Sequence, residues 1–112
     1  MELKMYVPPK KFSLKESVSY ADGSVVSKQS IKQKGGNVTF FAFDKGEGLS
    51  EHTAPFDAMV VVIEGVAKIT IGGDPYELTE GEVIVMPARI PHALFATEKF
   101  KMMLVMVKEE VK

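Results

Sequence analysis

Two histidines, His52 and His92, carry most of the chemistry this chain offers, and they are its only ones. His52 stands six residues after Gly46 and thirteen before Gly65, while His92 closes Gly81-x5-Pro87-x4-His92. An imidazole can ligate a metal, shuttle a proton or orient an anion. Glycine and proline punctuate both frames, so each histidine is expected where the chain switches between strand and turn. Asp57 and Arg89, near His52 and His92 in sequence, add a carboxylate and a guanidinium to the inventory.

The elements that must position these groups are β-strands. From about residue 12 no window carries a capped 3.6-residue apolar period; short β-branched and aromatic runs are cut by turn residues instead. The runs are Val25–Gln33, Val38–Phe43, Ala58–Ile63, Val66–Ile71, Tyr76–Thr79, Val83–Met86, Ala93–Thr97 and Lys101–Val107. Turns are read at Lys34–Asn37, Asp44–Gly48, Glu64-Gly65 and Gly72–Pro75. Eight to ten strands without intervening helices predict a sandwich or barrel. Ala58–Ile63 is apolar on both faces, which a strand wet on one side would not be. A homodimer is the expected cover for its second face; cover by Tyr6–Ser19 is the alternative.

The bulk numbers bound the rest. At 112 residues the chain reads as one domain spanning 1–112, and 46% hydrophobic with 26% charged residues is ordinary globular composition. A formal charge of −1 gives no reason to expect nucleic acid or an anionic membrane as partner. The longest apolar runs, Ala58–Ile63 and Met102–Val107, fall far short of the ~20 residues of a membrane span. Zero cysteines excludes disulfides and thiolate metal sites and suits a cytoplasmic location. The first residues, Met-Glu-Leu-Lys-Met-Tyr, lack an apolar signal segment. Lys108–Lys112 is expected to fray.

The two frames together resemble the paired motifs of single-domain cupins of the small RmlC-like, conserved-barrel type. In that family the first motif is Gly-x5-His-x-His-x3,4-Glu-x6-Gly and the second Gly-x5-Pro-x-Gly-x2-His-x3-Asn. The match covers about residues 38–107. It implies an all-β fold, a double-stranded β-helix or jelly-roll barrel, with both motifs meeting at the barrel's mouth. Residues 1–24 would add an edge strand.

Parity explains the family's ligand set: His-x-His on a strand places both rings on one face, and a carboxylate four residues on keeps that face. Three imidazoles and a carboxylate suit a divalent transition metal such as Zn, Fe, Mn or Ni. Here the second histidine's place is Ala54, the glutamate's is Ala58, the second motif's glycine is Arg89 and its asparagine is Ala96. His52 and His92 alone remain, so a metal would be weakly held or absent. Asp57 offers a third ligand if a bulge swings it toward His52; otherwise it bonds nearby backbone N–H groups. Glu51 has the wrong parity. Arg89 either fixes a carboxylate or phosphate on a ligand or is an exposed loop arginine.

The expected pocket is lined by His52, His92, Arg89, Ala54, Ala58 and Phe40, with Met59, Met86, Met102, Met103 and Met106 as adaptable apolar filling. Three functions follow. The first is a small-molecule-binding protein, with or without metal. The second is a metal-dependent dioxygenase or isomerase using His52, His92 and Asp57 or waters. The third, ranked last, is a metal-free acid–base enzyme such as a sugar epimerase.

Overall fold

The computed structural model describes residues 10–108. The expected fraying of Lys108–Lys112 lies, beyond Lys108, outside the described residues. Seven strands follow a short 3-10 turn at Leu14–Glu16: β1 (Val25–Gln33), β2 (Gly36–Phe43), β3 (Gly48–His52), β4 (Asp57–Ile71), β5 (Asp74–Leu78), β6 (Val83–Met86) and β7 (His92–Val107). All pairings are antiparallel. No described helix is long and apolar enough to cross a membrane.

Two long strands organise the molecule. β4 and β7 pair along their whole length, from Asp57↔Val107 to Ile71↔His92, with register shifts at Val62/Glu64 and Gly65/Ala67. Their outer neighbours change at that point. Residues 57–65 of β4 and 100–107 of β7 lie in a first layer ordered β1-β2-β7-β4-β6. Residues 67–71 and 92–96 lie in a second, ordered β3-β7-β4-β5. One apolar cluster joins both layers: Phe43, Val60, Val62, Met86, Phe100 and Met102 from the first, Ala67, Ile69, Leu78, Leu94 and Ala96 from the second. At its centre Phe43 and Phe100 stack with centroids 4.4 Å apart. This is the jelly-roll barrel that the strand pattern and the resemblance imply.

The expected turn at Glu64-Gly65 is instead a bend within one strand. Gly65 has φ of +88°, and a Cβ there would collide with the Lys99 carbonyl and the Phe100 backbone of β7. A glycine with positive φ serves a bulge as well as a turn, since both need the backbone that other residues avoid. Two runs therefore merge into β4 and two into β7. β3, with one apolar residue in Gly-Leu-Ser-Glu-His, was absent from the expected set.

Of residues 1–24, expected to add an edge strand, 1–9 lie outside the described residues. Residues 10–24 form no strand; they lie across the outer face of the first layer. Val18 packs with Phe40, Ala42 and Ile63, and the Phe12 ring meets Phe40 edge-on at 5.8 Å. Tyr20 donates to Glu64 Oε2 at 2.7 Å, beneath the ammonium groups of Lys99 and Lys101. Lys101 Nζ in turn donates to the Lys15 carbonyl. Burial first, and the Glu64 carboxylate second, push the Tyr20 phenol up, so it stays a donor. This strap covers Ile63 but leaves Met59 open. The part of the expected cover before residue 10 lies outside the described residues.

Candidate functional site

β3 and β7 bring the two histidines into register as direct partners, His52↔His92. A β-bulge between Leu49 and His52 makes this possible. Leu49 opposes Leu94 on the interior face, and the extra residue lets His52, three positions on, share that face. On β7, His92, Leu94 and Ala96 alternate inward by simple period two. His92 is buried and His52 exposed, so the pair sits at the mouth of the barrel with one ring in and one ring out.

The rings are held edge-to-face, centroids 4.4 Å apart and planes at 69°. Their Nε2 atoms are 3.2 Å apart. Each Nδ1 faces a main-chain carbonyl, His52 that of Ser50 at 2.8 Å and His92 that of Ile90 at 3.3 Å. A carbonyl oxygen only accepts, so these contacts favour the Nδ1–H tautomer of each ring. In the neutral rings both Nε2 atoms then present bare lone pairs to each other. Such a contact is relieved by a shared proton or by a cation. Burial, and secondarily the charge on His52, hold the His92 imidazole below its usual range, against a smaller opposing pull from the Ile90 carbonyl. His92 therefore resists taking up that proton.

Two hydrogen bonds, one between backbones and one to a side chain, link the loops that flank the histidines. Arg89 N–H donates to the Ala54 carbonyl at 2.7 Å, and Ala88 N–H donates to Asp57 Oδ1 at 2.8 Å. Arg89 takes φ of +67°, the left-handed region, at the position where the cupin motif has glycine. Side chains other than glycine pay about 1–2 kcal/mol there, so the tight turn outlasts the residue best suited to it. The loops also form the walls of a recess of about 310 Å³ lined by Pro55, Phe56, Asp57, Ala88, Arg89, Val107 and Lys108.

The expected site residues thus divide. His52 and His92 meet. Ala54 lies in the latched loop, and Ala58 is buried in the barrel core. Arg89 is beside the site through its backbone. Phe40 is a correction: its neighbours Phe41 and Phe43 face the interior, while Phe40 itself packs under the strap on the outer face. Strand parity within Val38–Phe43 separates the two faces but does not say which is inside. Asp57 Oδ1 accepts from the Ala88 N–H, 31 residues on, and not from the Pro55-Phe56 turn beside it. Among the described residues no group of three or more His, Cys, Asp or Glu side chains is gathered to hold a metal. The residues that sequence reasoning missed are Ser50 and Ile90, whose main-chain carbonyls set the tautomers; nothing in their side chains marks that role.

The cupin domain family matches residues 39–108, and the chain belongs to the cupin family. Among solved structures it is similar to a conserved protein of unknown function from Streptococcus pyogenes: 41% identity over 91% of this chain and 90% of that one, TM-score 0.87. It is similar also to a cupin 2 conserved barrel domain protein from Leptotrichia buccalis, 44% identical over 87% of this chain, TM-score 0.84; that match spans 47% of the longer protein. An RmlC-like cupin protein from Desulfovibrio desulfuricans shares the fold at 24% identity over 88% of this chain and 96% of that one, TM-score 0.76. No curated protein matches the sequence.

Proposed function

We propose that this cupin is a small-molecule-binding protein of the cytoplasm whose mouth takes up a divalent transition metal through Nε2 of His52 and Nε2 of His92. The observation that carries this reading is the pair of Nε2 atoms 3.2 Å apart, with the Nδ1 of each ring facing a main-chain carbonyl. Two imidazole nitrogens bound to one ion at about 2.0–2.1 Å each can stand no more than about 4.2 Å apart, so the separation fits a common ion. Metal-ligating histidines ordinarily donate their other N–H to a carbonyl or carboxylate, the arrangement present on both rings here. The metal would supply a Lewis acid for a carboxylate, carbonyl or hydroxyl of the ligand.

Two protein ligands hold a metal more weakly than the usual three or four. That favours reversible occupancy and a binding role over a resident catalytic centre. Ala58, where the family has a carboxylate, is buried in the apolar core, so the barrel interior suits a small, partly apolar molecule with one metal-binding group.

Thermal unfolding with Zn²⁺, Ni²⁺ and Mn²⁺, alone and with small carboxylic acids, tests the proposal. At a tenfold excess over Kd a ligand stabilises by about 1.4 kcal/mol, several degrees in Tm for a domain of this size. The increase should vanish in His52→Ala and in His92→Ala. Metals that leave Tm unchanged at millimolar concentration, or an equal increase in both variants, would sink the proposal.

A further inference from the structure

The chain between β6 and β7 turns at Pro87–Ile90, where the Ile90 N–H donates to the Pro87 carbonyl at 3.4 Å. Arg89, third in the turn, has φ of +67°, and Ala88 before it does not enter that region. This pattern is a type II turn, whose third position favours glycine or asparagine. An arginine there is strained, and the closing hydrogen bond is longer than usual. The turn's own chemistry holds it poorly. Its two central amides are held from outside instead, Arg89 N–H by the Ala54 carbonyl at 2.7 Å and Ala88 N–H by Asp57 Oδ1 at 2.8 Å. Asp57 supplies its side chain to this link, and a bond to a carboxylate is stronger than one to a carbonyl.

The turn presents the Ile90 carbonyl to His92. That carbonyl faces His92 Nδ1 at 3.3 Å, a longer contact than the 2.8 Å between the Ser50 carbonyl and His52 Nδ1. His92 is thus the ring whose tautomer is less firmly set. Its other neutral tautomer, protonated on Nε2, has an acceptor at hand in His52 Nε2, 3.2 Å away. A proton there would close the space between the rings to a cation. Whatever fixes the Ile90 carbonyl against His92 therefore decides which tautomer the pair keeps. After Ile90 the chain is anchored by the Gly72 N–H, which donates to the Pro91 carbonyl at 2.8 Å. Before it, the anchors are Ala54 and Asp57.

We infer that Asp57 is a positioning residue for the histidine pair: through the Ala88 amide it holds the turn that presents the Ile90 carbonyl to His92, and so keeps the His92 proton on Nδ1. The consequence for zinc rests on the reading of the pair as a metal site; the consequence for the tautomer does not. Asp57 is exposed, so its replacement leaves the Ala88 amide to water and should spare the fold.

Asp57→Ala and Asp57→Asn, each compared with the parent by ¹⁵N NMR of the histidine side chains at pH 8 and by zinc titration, test this role. In metal-free Asp57→Ala the His92 signals should move toward the Nε2–H tautomer while His52 remains Nδ1–H. Zinc affinity should fall about tenfold, the low end for loss of a group that supports a ligand. Asparagine keeps an acceptor oxygen, so Asp57→Asn should stay with the parent in both measurements. Unmoved His92 signals in Asp57→Ala overturn the inference, even where Tm falls. Equal loss of zinc in both variants with His92 unmoved overturns it too, and makes the carboxylate itself a ligand. A parent that takes up no zinc but loses its Nδ1–H tautomer in Asp57→Ala sinks the metal reading and supports the positioning role. A parent whose His92 already carries Nε2–H overturns both.

Discussion

The chemistry of this protein rests on where two protons sit. Main-chain carbonyls of Ser50 and Ile90 hold the proton of each imidazole on Nδ1, which leaves two nitrogens bare and face to face. The same geometry sets the pH response. His92 has its folded pKa depressed, so the unfolded chain takes up that proton more readily. Its contribution is complete above the unfolded value near 6.5, is lost as pH falls, and stops declining only below the folded value. Urea midpoints measured from pH 7.5 to 5 should therefore fall in the parent and fall less in His92→Gln; parallel profiles would refute the assignment. Asp44 and Glu82, whose carboxyls are lowered mainly by backbone N–H bonds, act below this window. The missing ligands give a second test. Ala54→His with Ala58→Glu should raise metal affinity at least a hundredfold while lowering the Tm of the metal-free protein, because position 58 is in the core and a buried carboxylate is costly without a partner. A double variant that binds Zn²⁺ no better than the parent would show that positions 54 and 58 do not face the site.

At the scale of elements, bends and bulges decide what the site can be. The β3 bulge changes the parity that puts His52 opposite His92, and the paired shifts around Gly65 carry β4 and β7 from one layer to the other. Gly65→Ala should cost more than about 3 kcal/mol, because a methyl there meets the β7 backbone and the φ is one L side chains avoid. A urea-unfolding difference below about 1 kcal/mol would mean the two strands can separate at the bend. These features also mark where the sequence stopped being legible. The period-two runs located nearly all of the strand residues, since alternation survives in each half of β4 and β7. Glu64-Gly65 looked like a hairpin turn because a positive-φ glycine reads the same in a bulge; only the Lys99–Phe100 backbone crossing it tells the two apart. β3 was hidden by its polar composition. Alternation separates Phe40 from Phe41 and Phe43 without naming the wet side, and here the strap hides the outer face as well.

The whole molecule is a two-layer barrel closed around one apolar cluster, whose centre is the Phe43–Phe100 stack. Phe100→Ala should cost about 3–5 kcal/mol, and a loss under 1 kcal/mol would show that the layers are held elsewhere. The paired Gly/His and Gly/Pro/His spacings identified the family because they encode a three-dimensional meeting of two turns, which the latch from Ala54 to Arg89 still makes although position 89 is no longer glycine. The fate of the metal shell was half legible: alanines at 54 and 58 are visible as losses. That Asp57 serves Ala88 depends on a contact across 31 residues that no local pattern records. The central claim, two facing and unprotonated Nε2 atoms ready for a shared cation, is most directly tested by ¹⁵N NMR of the histidine side chains at pH 8. Without metal both rings should show the Nδ1–H tautomer, and Zn²⁺ should shift both Nε2 resonances together. An Nε2–H signal on either ring, or a zinc-induced shift at one ring alone, would contradict it.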